Sequence, residues 1–88
     1  MQYTCPCCGY KTLPEEANGT FNICPVCFWE DDNVQLKDPN YKGGANHVSL
    51  KEAQNNFITF GACEKIMVKN VRPANTSEPK DSGWKPFE

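Results

Sequence analysis

The sequence predicts a small α+β domain in which a β-hairpin comes first and two helical segments follow it. The chain has 88 residues, a length typical of one domain. A tight-turn signal beside alternating polar and apolar residues predicts the hairpin. Apolar residues at helical spacing in the second half predict the helices. With 39% hydrophobic and 23% charged residues, the composition is that of an ordinary globular protein.

The hairpin is predicted from the residues around one dipeptide. Asn18 and Gly19 form a strong turn signal, because both residue types tolerate a positive φ angle. The stretch 20–23 that follows alternates polar and apolar side chains, as a half-buried strand does. Its expected partner is the stretch 10–13. Residues 3–36 are therefore predicted to form a two-stranded ribbon with a cysteine pair at the base of each strand.

The second half reads as a loop followed by two helical segments. Residues 37–47 are rich in Asn, Gly and Pro, which predicts a loop. Ser49 and Glu52 then fit a capping box, in which each side chain satisfies a free backbone N–H at the start of a helix. Two successive apolar stripes at helical spacing predict helical structure within residues 49–72, with Gly61 as the stop of the first helix.

The C-terminal residues look different from the rest of the chain. Residues 73–88 hold three prolines and many polar residues, so we expect a mobile polar tail. That tail would follow a single cysteine-rich domain spanning residues 1–72. Trp84 and Phe87 are unusual in such a segment, and they either dock loosely on the chain's own surface or anchor a partner.

Six cysteines must be explained in a chain of this size, because small domains often need disulfides or a metal to be stable. Four of them form two C-x2-C pairs with fifteen residues between the pairs: Cys5, Cys8, Cys24 and Cys27. Each tight turn places two sulfurs on one side, and a hairpin brings the four together, a spacing typical of a zinc site. The sequence thus predicts a small α+β metal-bound domain that holds one structural Zn²⁺ through these four cysteines.

The residues inside the two turns agree with this interpretation. Pro6 and Pro25 follow the first cysteine of each pair and fix φ where a type I turn needs it. Gly9 follows the second cysteine of the first pair, where a positive φ is favourable. Phe28 takes the equivalent place in the second turn. That second turn is therefore expected to be more strained or differently shaped.

Several alternatives stay open at this point. A disulfide framework is disfavoured because the N-terminus lacks the basic run and apolar stretch of a signal peptide, and we expect a cytoplasmic protein with reduced thiols. Iron binds the same four thiolates, which would make a rubredoxin-like electron carrier. Cys7, between the ligands of the first turn, is either a bystander or a thiol that senses oxidants and releases zinc. Cys63 is expected to be buried and inert.

No catalytic constellation is visible, so we expect a protein without enzymatic activity. A complete cysteine tetrad leaves no open metal position. His47 is the sole histidine, and a surface role near the helix start is expected for it. Glu30, Asp31 and Asp32 form either a solvated turn or a site for a second cation or a basic partner.

Charge and hydropathy restrict the kinds of partner that the protein is expected to bind. The net charge is −2, and residues 1–40 carry two lysines against six acidic residues. Nucleic-acid binding rests on Lys and Arg at phosphates, which disfavours a nucleic-acid partner. No apolar run approaches membrane-spanning length. The remaining expectation is a module that acts through contacts with a protein partner.

Three sequence strings carry a resemblance to a known family: CPCCGYKTL, ICPVCFWEDD and GGANHVSLKEAQNNFITFGA, in that order. Together they resemble the cysteine-rich CPCC domain family of small, mostly bacterial proteins, over roughly residues 3–72. The resemblance implies one small domain whose hallmark positions are Cys5, Cys7, Cys8, Cys24 and Cys27, and it brings no biochemical role with it. Each turn is also similar to the metal knuckles of zinc ribbons and of rubredoxins, which share the C-x2-C-G-Y string seen from Cys5 to Tyr10. The predicted hairpin is therefore zinc-ribbon- or rubredoxin-like.

Overall fold

The fold consists of a small hairpin followed by helices, which confirms the predicted small α+β class. The computed structural model describes residues 2–87. In chain order its elements are β1 (Tyr3–Thr4), β2 (Lys11–Leu13), α1 (Asn33–Lys37), α2 (Leu50–Phe60) and a 3₁₀ helix (Lys65–Asn70). Helix α1 lies inside the segment expected to be all ribbon, and the sequence pattern had not predicted it.

The first C-x2-C turn is itself the turn of a β-hairpin. Strands β1 and β2 pair antiparallel on either side of it, with Tyr3 opposite Leu13. At the turn, the backbone N–H of Cys5 donates to the carbonyl of Tyr10 at 2.9 Å. The N–H of Gly9 donates to the carbonyl of Cys5 at 2.9 Å. The two cysteines of this pair therefore sit at the closed end of a short hairpin, and we call this unit the first knuckle.

The second C-x2-C turn repeats this geometry, and we call it the second knuckle. The N–H of Cys24 donates to the carbonyl of Trp29 at 2.9 Å, and the N–H of Phe28 donates to the carbonyl of Cys24 at 2.7 Å. Just outside the turn, Ile23 and Glu30 form an antiparallel bridge. These bonds match those of the first knuckle position for position. The two halves of the ribbon are thus two copies of one local hairpin.

The predicted strand at residues 20–23 is not formed, and the predicted pairing is wrong. Phe21 has a positive φ of 61°, and within this stretch only Ile23 makes a β-bridge, to Glu30 on the far side of its own knuckle. Residues 11–13 form β2 and pair with β1. Each stretch therefore closes on its own C-x2-C turn, where the backbone hydrogen bonds of the knuckle fix the pairing. Of the expected Asn18–Gly19 turn, Gly19 has a positive φ of 80°. Asn18 is not among the residues with positive φ, so the dipeptide is not a two-residue hairpin turn.

Phe28 stands in the strained conformation that its position demands. Its φ is 70°, close to the 81° of Gly9 at the equivalent place in the first knuckle. The second turn therefore has the same shape as the first. Of the two expectations for this turn, the strained backbone is confirmed and the different shape is not. A residue with a Cβ in this region costs roughly 1–2 kcal/mol.

Substituting Phe28 by glycine and by alanine gives a direct measure of that strain. Both variants lose the ring, and they differ only in the Cβ, so Phe28→Gly should be more stable than Phe28→Ala by about 1 kcal/mol. The matched control is exposed Asn55 in α2, where alanine should be the more stable replacement by about 1 kcal/mol. Denaturant unfolding of the four variants with metal in excess measures both differences. The same sign at both positions would contradict the left-handed backbone at residue 28.

Helix α2 begins at the predicted Ser49 cap and ends at Gly61, but only the Ser49 half of the predicted capping box is formed. The hydroxyl of Ser49 accepts a hydrogen bond from the N–H of Glu52 at 3.1 Å, and the Glu52 carboxylate faces Lys42 Nζ at 3.8 Å. Gly61 has a φ of 85° and donates its N–H to the carbonyl of Phe57, which ends the helix. Leu50 at the start of the stripe is fully buried. The apolar stripe therefore packs inward against the cysteines.

The acidic triplet is part of the framework rather than a solvated turn. Asp31 is buried, and one of its carboxylate oxygens accepts hydrogen bonds from the backbone of Asn18 and from the backbone and hydroxyl of Thr20. Asp32 caps α1 and also accepts the N–H of Ala45, and these backbone bonds lower the pKa of its carboxyl although burial opposes them. Both side chains thus accept hydrogen bonds within the chain, although the second carboxylate oxygen of Asp31 is buried without a hydrogen-bond partner.

The buried side chain of Gln35 holds the loop 37–47 at several points. The amide of Gln35 donates to the carbonyls of Tyr41, Asn46 and Val48 at 3.0–3.2 Å. Its oxygen accepts from the Asn46 side chain at 2.9 Å. Because Gln35 is fully buried, the loop keeps a fixed shape beneath the start of α2.

The C-terminal segment beyond the expected boundary at residue 72 is packed on the first knuckle. The N–H of Lys11 donates to the carbonyl of Pro79 at 2.9 Å, and the N–H of Asp81 donates to the carbonyl of Gly9 at 2.8 Å. Residues 79–81 therefore extend the edge of β2 as a third strand-like segment. We call residues 78–84 the strap. The polar composition of this segment predicted a mobile tail, because composition does not reveal the backbone hydrogen bonds that hold the strap.

Trp84 anchors the strap. Its indole N–H donates to the carbonyl of Pro6 at 2.8 Å, and the same carbonyl accepts the side chain of Gln54 from α2 at 2.8 Å. A Cβ added to Gly9 would lie 2.6 Å from the indole ring, so the ring rests directly on the glycine. Of the two alternatives for Trp84, docking on the chain's own surface is the one observed.

Candidate metal centre

The four predicted cysteines come together at the centre of the molecule. One cysteine pair comes from each knuckle, and the ligand sulfurs of Cys5, Cys8, Cys24 and Cys27 all lie within 4.8 Å of one another. All four side chains are fully buried. They are free thiols, which disagrees with a disulfide framework. The site therefore has four sulfur donors and no exposure to solvent.

The spacing of the sulfurs fits a tetrahedral ion. With zinc–sulfur bonds of about 2.3 Å, the sulfurs of an ideal tetrahedron are about 3.8 Å apart. The Sγ atoms of Cys5 and Cys27 are 3.6 Å apart, and those of Cys8 and Cys24 are 3.8 Å apart. Both of these pairs join one knuckle to the other. The distances across the cluster thus match the requirement of one ion held between the two hairpins.

The protonation of the cluster also favours a cation. Burial raises the pKa values of the Cys5 and Cys27 thiols. Hydrogen bonds from the three neighbouring thiols, and one from Thr12, lower the pKa of Cys24 although burial opposes them. Several negative sulfurs in a dry interior repel one another. A thiophilic cation would remove that conflict by binding all four as thiolates.

Thr12 is a residue of the candidate site that the sequence did not reveal. It lies on β2, next to the first knuckle, and its buried hydroxyl donates to the sulfur of Cys24 in the second knuckle at 3.0 Å. The bond joins the two knuckles and offsets negative charge on a ligand sulfur. A threonine in a short strand carries no signal of its own in a single sequence, so only the fold reveals this role.

Removing the Thr12 hydroxyl should weaken metal retention. Thr12→Val keeps the shape of the side chain and loses the bond to Cys24, and contacts of this kind around metal ligands are typically worth 10–100-fold in affinity. In a competition with a chromogenic chelator, we expect Thr12→Val to bind metal about tenfold more weakly than the unmodified protein. Thr12→Ser keeps a hydroxyl and should bind metal nearly as tightly as the unmodified protein. Thr59→Val is the matched control, because it removes an exposed hydroxyl bonded to Asn55 on α2. Equal metal affinity in the Thr12 and Thr59 variants would contradict a role for the hydroxyl.

The two remaining cysteines lie beside the centre without joining it. Cys7 and Cys63 are buried, and both fall outside the cluster of four. Burial raises the pKa of the Cys7 thiol, and it raises the pKa of Cys63 to about 12. Reactive cysteines are exposed and have lowered pKa values. These environments are those of unreactive thiols.

His47 lies away from the four sulfurs. Its side chain is 77% exposed, and Nδ1 faces Glu64 Oε1 at 3.4 Å. Exposure and this neighbour agree with the expected surface role. Within residues 2–87, the cysteine tetrad is the one group of His, Cys, Asp or Glu side chains found close enough together to hold a metal.

The C-terminal half holds each knuckle by its backbone. The carbonyl of Cys27 accepts the N–H of Cys63 at 2.8 Å, and the carbonyl of Pro25 accepts the N–H of Arg72 at 3.3 Å. In the first knuckle, the carbonyl of Pro6 accepts hydrogen bonds from one side chain of α2 and one side chain of the strap. The two prolines occupy equivalent positions, so both knuckles present the same carbonyl to the helical half.

Two knuckle hairpins around buried cysteines define the class: a small α+β domain with a four-cysteine site that could hold a metal ion. The comparison with known families agrees. The profile described as cysteine-rich CPCC matches residues 3–78, so the chain belongs to the cysteine-rich CPCC family. The match includes the first residue of the strap and ends beyond the boundary expected at residue 72. No curated protein is significantly similar to the chain.

Among the described residues, no helix is both long and apolar enough to cross a membrane.

Proposed function

We propose that the protein is a zinc-binding module in which Cys5, Cys8, Cys24 and Cys27 hold one structural Zn²⁺. The observation that carries the proposal is a set of four buried sulfurs at tetrahedral spacing. When bound, zinc would supply no reaction and would join the two knuckles into one folded unit. The chain's own part is to present four sulfurs at fixed positions, to exclude water from them, and to donate the Thr12 hydroxyl to one of them.

A non-enzymatic role follows from the closed site. Catalytic zinc sites keep one position open for water or substrate, and four protein ligands fill a tetrahedral ion. The fully buried sulfurs leave a substrate no access to the ion. The module would therefore act through contacts of its surface with a protein partner, and its acidic charge disfavours nucleic acid.

Metal analysis of the protein from its native source tests the proposal. One zinc per chain in a colourless protein is the expected result, with a Cys24→Ser variant that does not retain it. Iron at one per chain, with the red colour of ferric thiolates, would instead establish the rubredoxin-like electron carrier that the paired knuckles also fit. Less than about 0.2 metal ions per chain in protein purified without chelators would refute the site.

The third role considered, a sensor in which Cys7 reacts with an oxidant and zinc is released, finds less support. The Cys7 side chain has no exposure and a raised pKa. Replacing Cys7 by alanine should leave the rate of zinc release by hydrogen peroxide unchanged. A slower release in the variant would revive the sensor.

A further inference from the structure

An apolar groove lies between the strap and the end of α2. Its volume is about 600 Å³, within the range of small-molecule sites. Aromatic rings of Tyr10, Phe57 and Phe60 line one part of it. Tyr10 and Phe57 meet edge to face, with ring centroids 6.3 Å apart. Such a surface favours a flat ring, which can stack or meet these rings edge-on.

The charges at this groove differ from those of the chain as a whole. Arg72 and Glu78 both line it and neutralise each other through two hydrogen bonds of 2.7 and 2.8 Å. Lys80 also lines it, and the salt bridges among residues 2–87 do not include this lysine. The neighbouring carboxylate of Asp81 is bound to Thr4 and to the N–H of Gly83. The groove thus carries one uncompensated positive charge in a protein whose net charge is −2.

Lys80 is held in place by aromatic rings. Its Nζ lies 4.7 Å from the ring centroid of Tyr10 and 4.6 Å from that of Trp84. The two contacts fix an ammonium group at the groove before any ligand arrives, and a preorganised group binds at a smaller loss of entropy. Ring faces leave the N–H donors of the ammonium without a strong acceptor, so they are available to a carboxylate.

We propose that this groove binds a small aromatic carboxylate, with its ring among Tyr10, Phe57 and Phe60 and its carboxylate on Lys80. One fixed cation selects a ligand with one anionic group, and the aromatic lining selects a ring over a polar body. The ligand would contact the strap and α2 together. Binding does not depend on which metal the cysteines hold, and it adds a ligand-binding role to the module.

An NMR titration of the metal-loaded protein tests the groove with two probes of the same shape. Indole-3-acetate carries the carboxylate, and indole-3-acetamide replaces it with a neutral amide. We expect saturable shifts of the amide signals of Phe57, Phe60 and Val71 with the acid. The acid should bind about fivefold more tightly than the amide, the effect of one partly exposed charge pair.

Variants of Lys80 test whether its ammonium group is the cation that binds the carboxylate. Lys80→Gln should abolish the preference for the acid, and Lys80→Arg should keep it, whereas Lys42→Gln outside the groove should change nothing. The comparison of acid with amide is made on the unmodified protein, so it holds even if Lys80→Gln loosens the strap. Equal affinity for acid and amide, shifts that map elsewhere, or no saturable shift up to about 5 mM would each overturn the proposal. Tighter binding of an acidic peptide than of either probe would overturn it in favour of a protein ligand.

Discussion

Replacing Cys24 by serine should abolish the cooperative unfolding of the protein and leave a chain that cannot hold metal. The cysteines occupy the centre of the core, where Leu13, Trp29 and Leu50 pack in one cluster with them. Structural zinc contributes on the order of 10–16 kcal/mol in small cysteine-rich peptides. Most domains have a net stability of roughly 5–15 kcal/mol. The contribution of the metal is of the same size or larger, so folding and metal binding should be one event.

Two measurements check this expectation. Addition of a strong chelator should shift the emission of fully buried Trp29 to the red and broaden the NMR spectrum, and restored zinc should reverse both. Cys63→Ala and Cys7→Ala serve as matched controls, because these buried cysteines lie outside the tetrad and should keep one metal per chain. A Cys24→Ser protein that stays folded, or a chelated protein with an unchanged spectrum, would contradict the coupling.

The second large effect concerns the contact between Gly9 and Trp84. Gly9→Ala should destabilise the metal-loaded protein by about 3 kcal/mol, from the left-handed backbone and from the collision with the indole ring. Trp84→Ala should cost about 2 kcal/mol, since the ring is only half buried. In the double variant the collision is gone. Gly9→Ala should then cost only about 1 kcal/mol, and the two substitutions should not be additive.

Gly43 supplies the control for this cycle. Its φ is 87°, and a Cβ built on it would meet nothing within 4 Å. Gly43→Ala therefore isolates the backbone cost, which should be about 1 kcal/mol with or without Trp84. Denaturant unfolding in excess zinc gives all the free energies. Additive costs for Gly9→Ala and Trp84→Ala would show that the strap does not rest on the first knuckle in solution.

The strap also explains why the two knuckles are not interchangeable. At matched positions the first carries Gly9 and the second carries Phe28, both with positive φ. Glycine lets the ring of Trp84 approach the first knuckle closely. A swap of the two residues should therefore disturb the first knuckle far more than the second.

The sequence alone determined which four cysteines cluster, the extent of α2 and the general class of the fold. These features are local: the C-x2-C spacing, the Ser49 cap and the Gly61 stop each act within a few residues, where backbone geometry leaves few choices. The family resemblance rested on the same local strings and was confirmed over residues 3–78.

Only the tertiary structure decided the strand partners, the strap and the contacts around the sulfurs. Residues 20–23 satisfy the alternating pattern of a strand, and only the tertiary structure shows that they bond to residues 30–31 beyond their own knuckle. Thr12 and Trp84 act on atoms 12 and 78 positions away in the chain, Cys24 Sγ and the carbonyl of Pro6. A single sequence shows which side chains can donate a hydrogen bond, whereas the acceptor is fixed only when distant segments pack together.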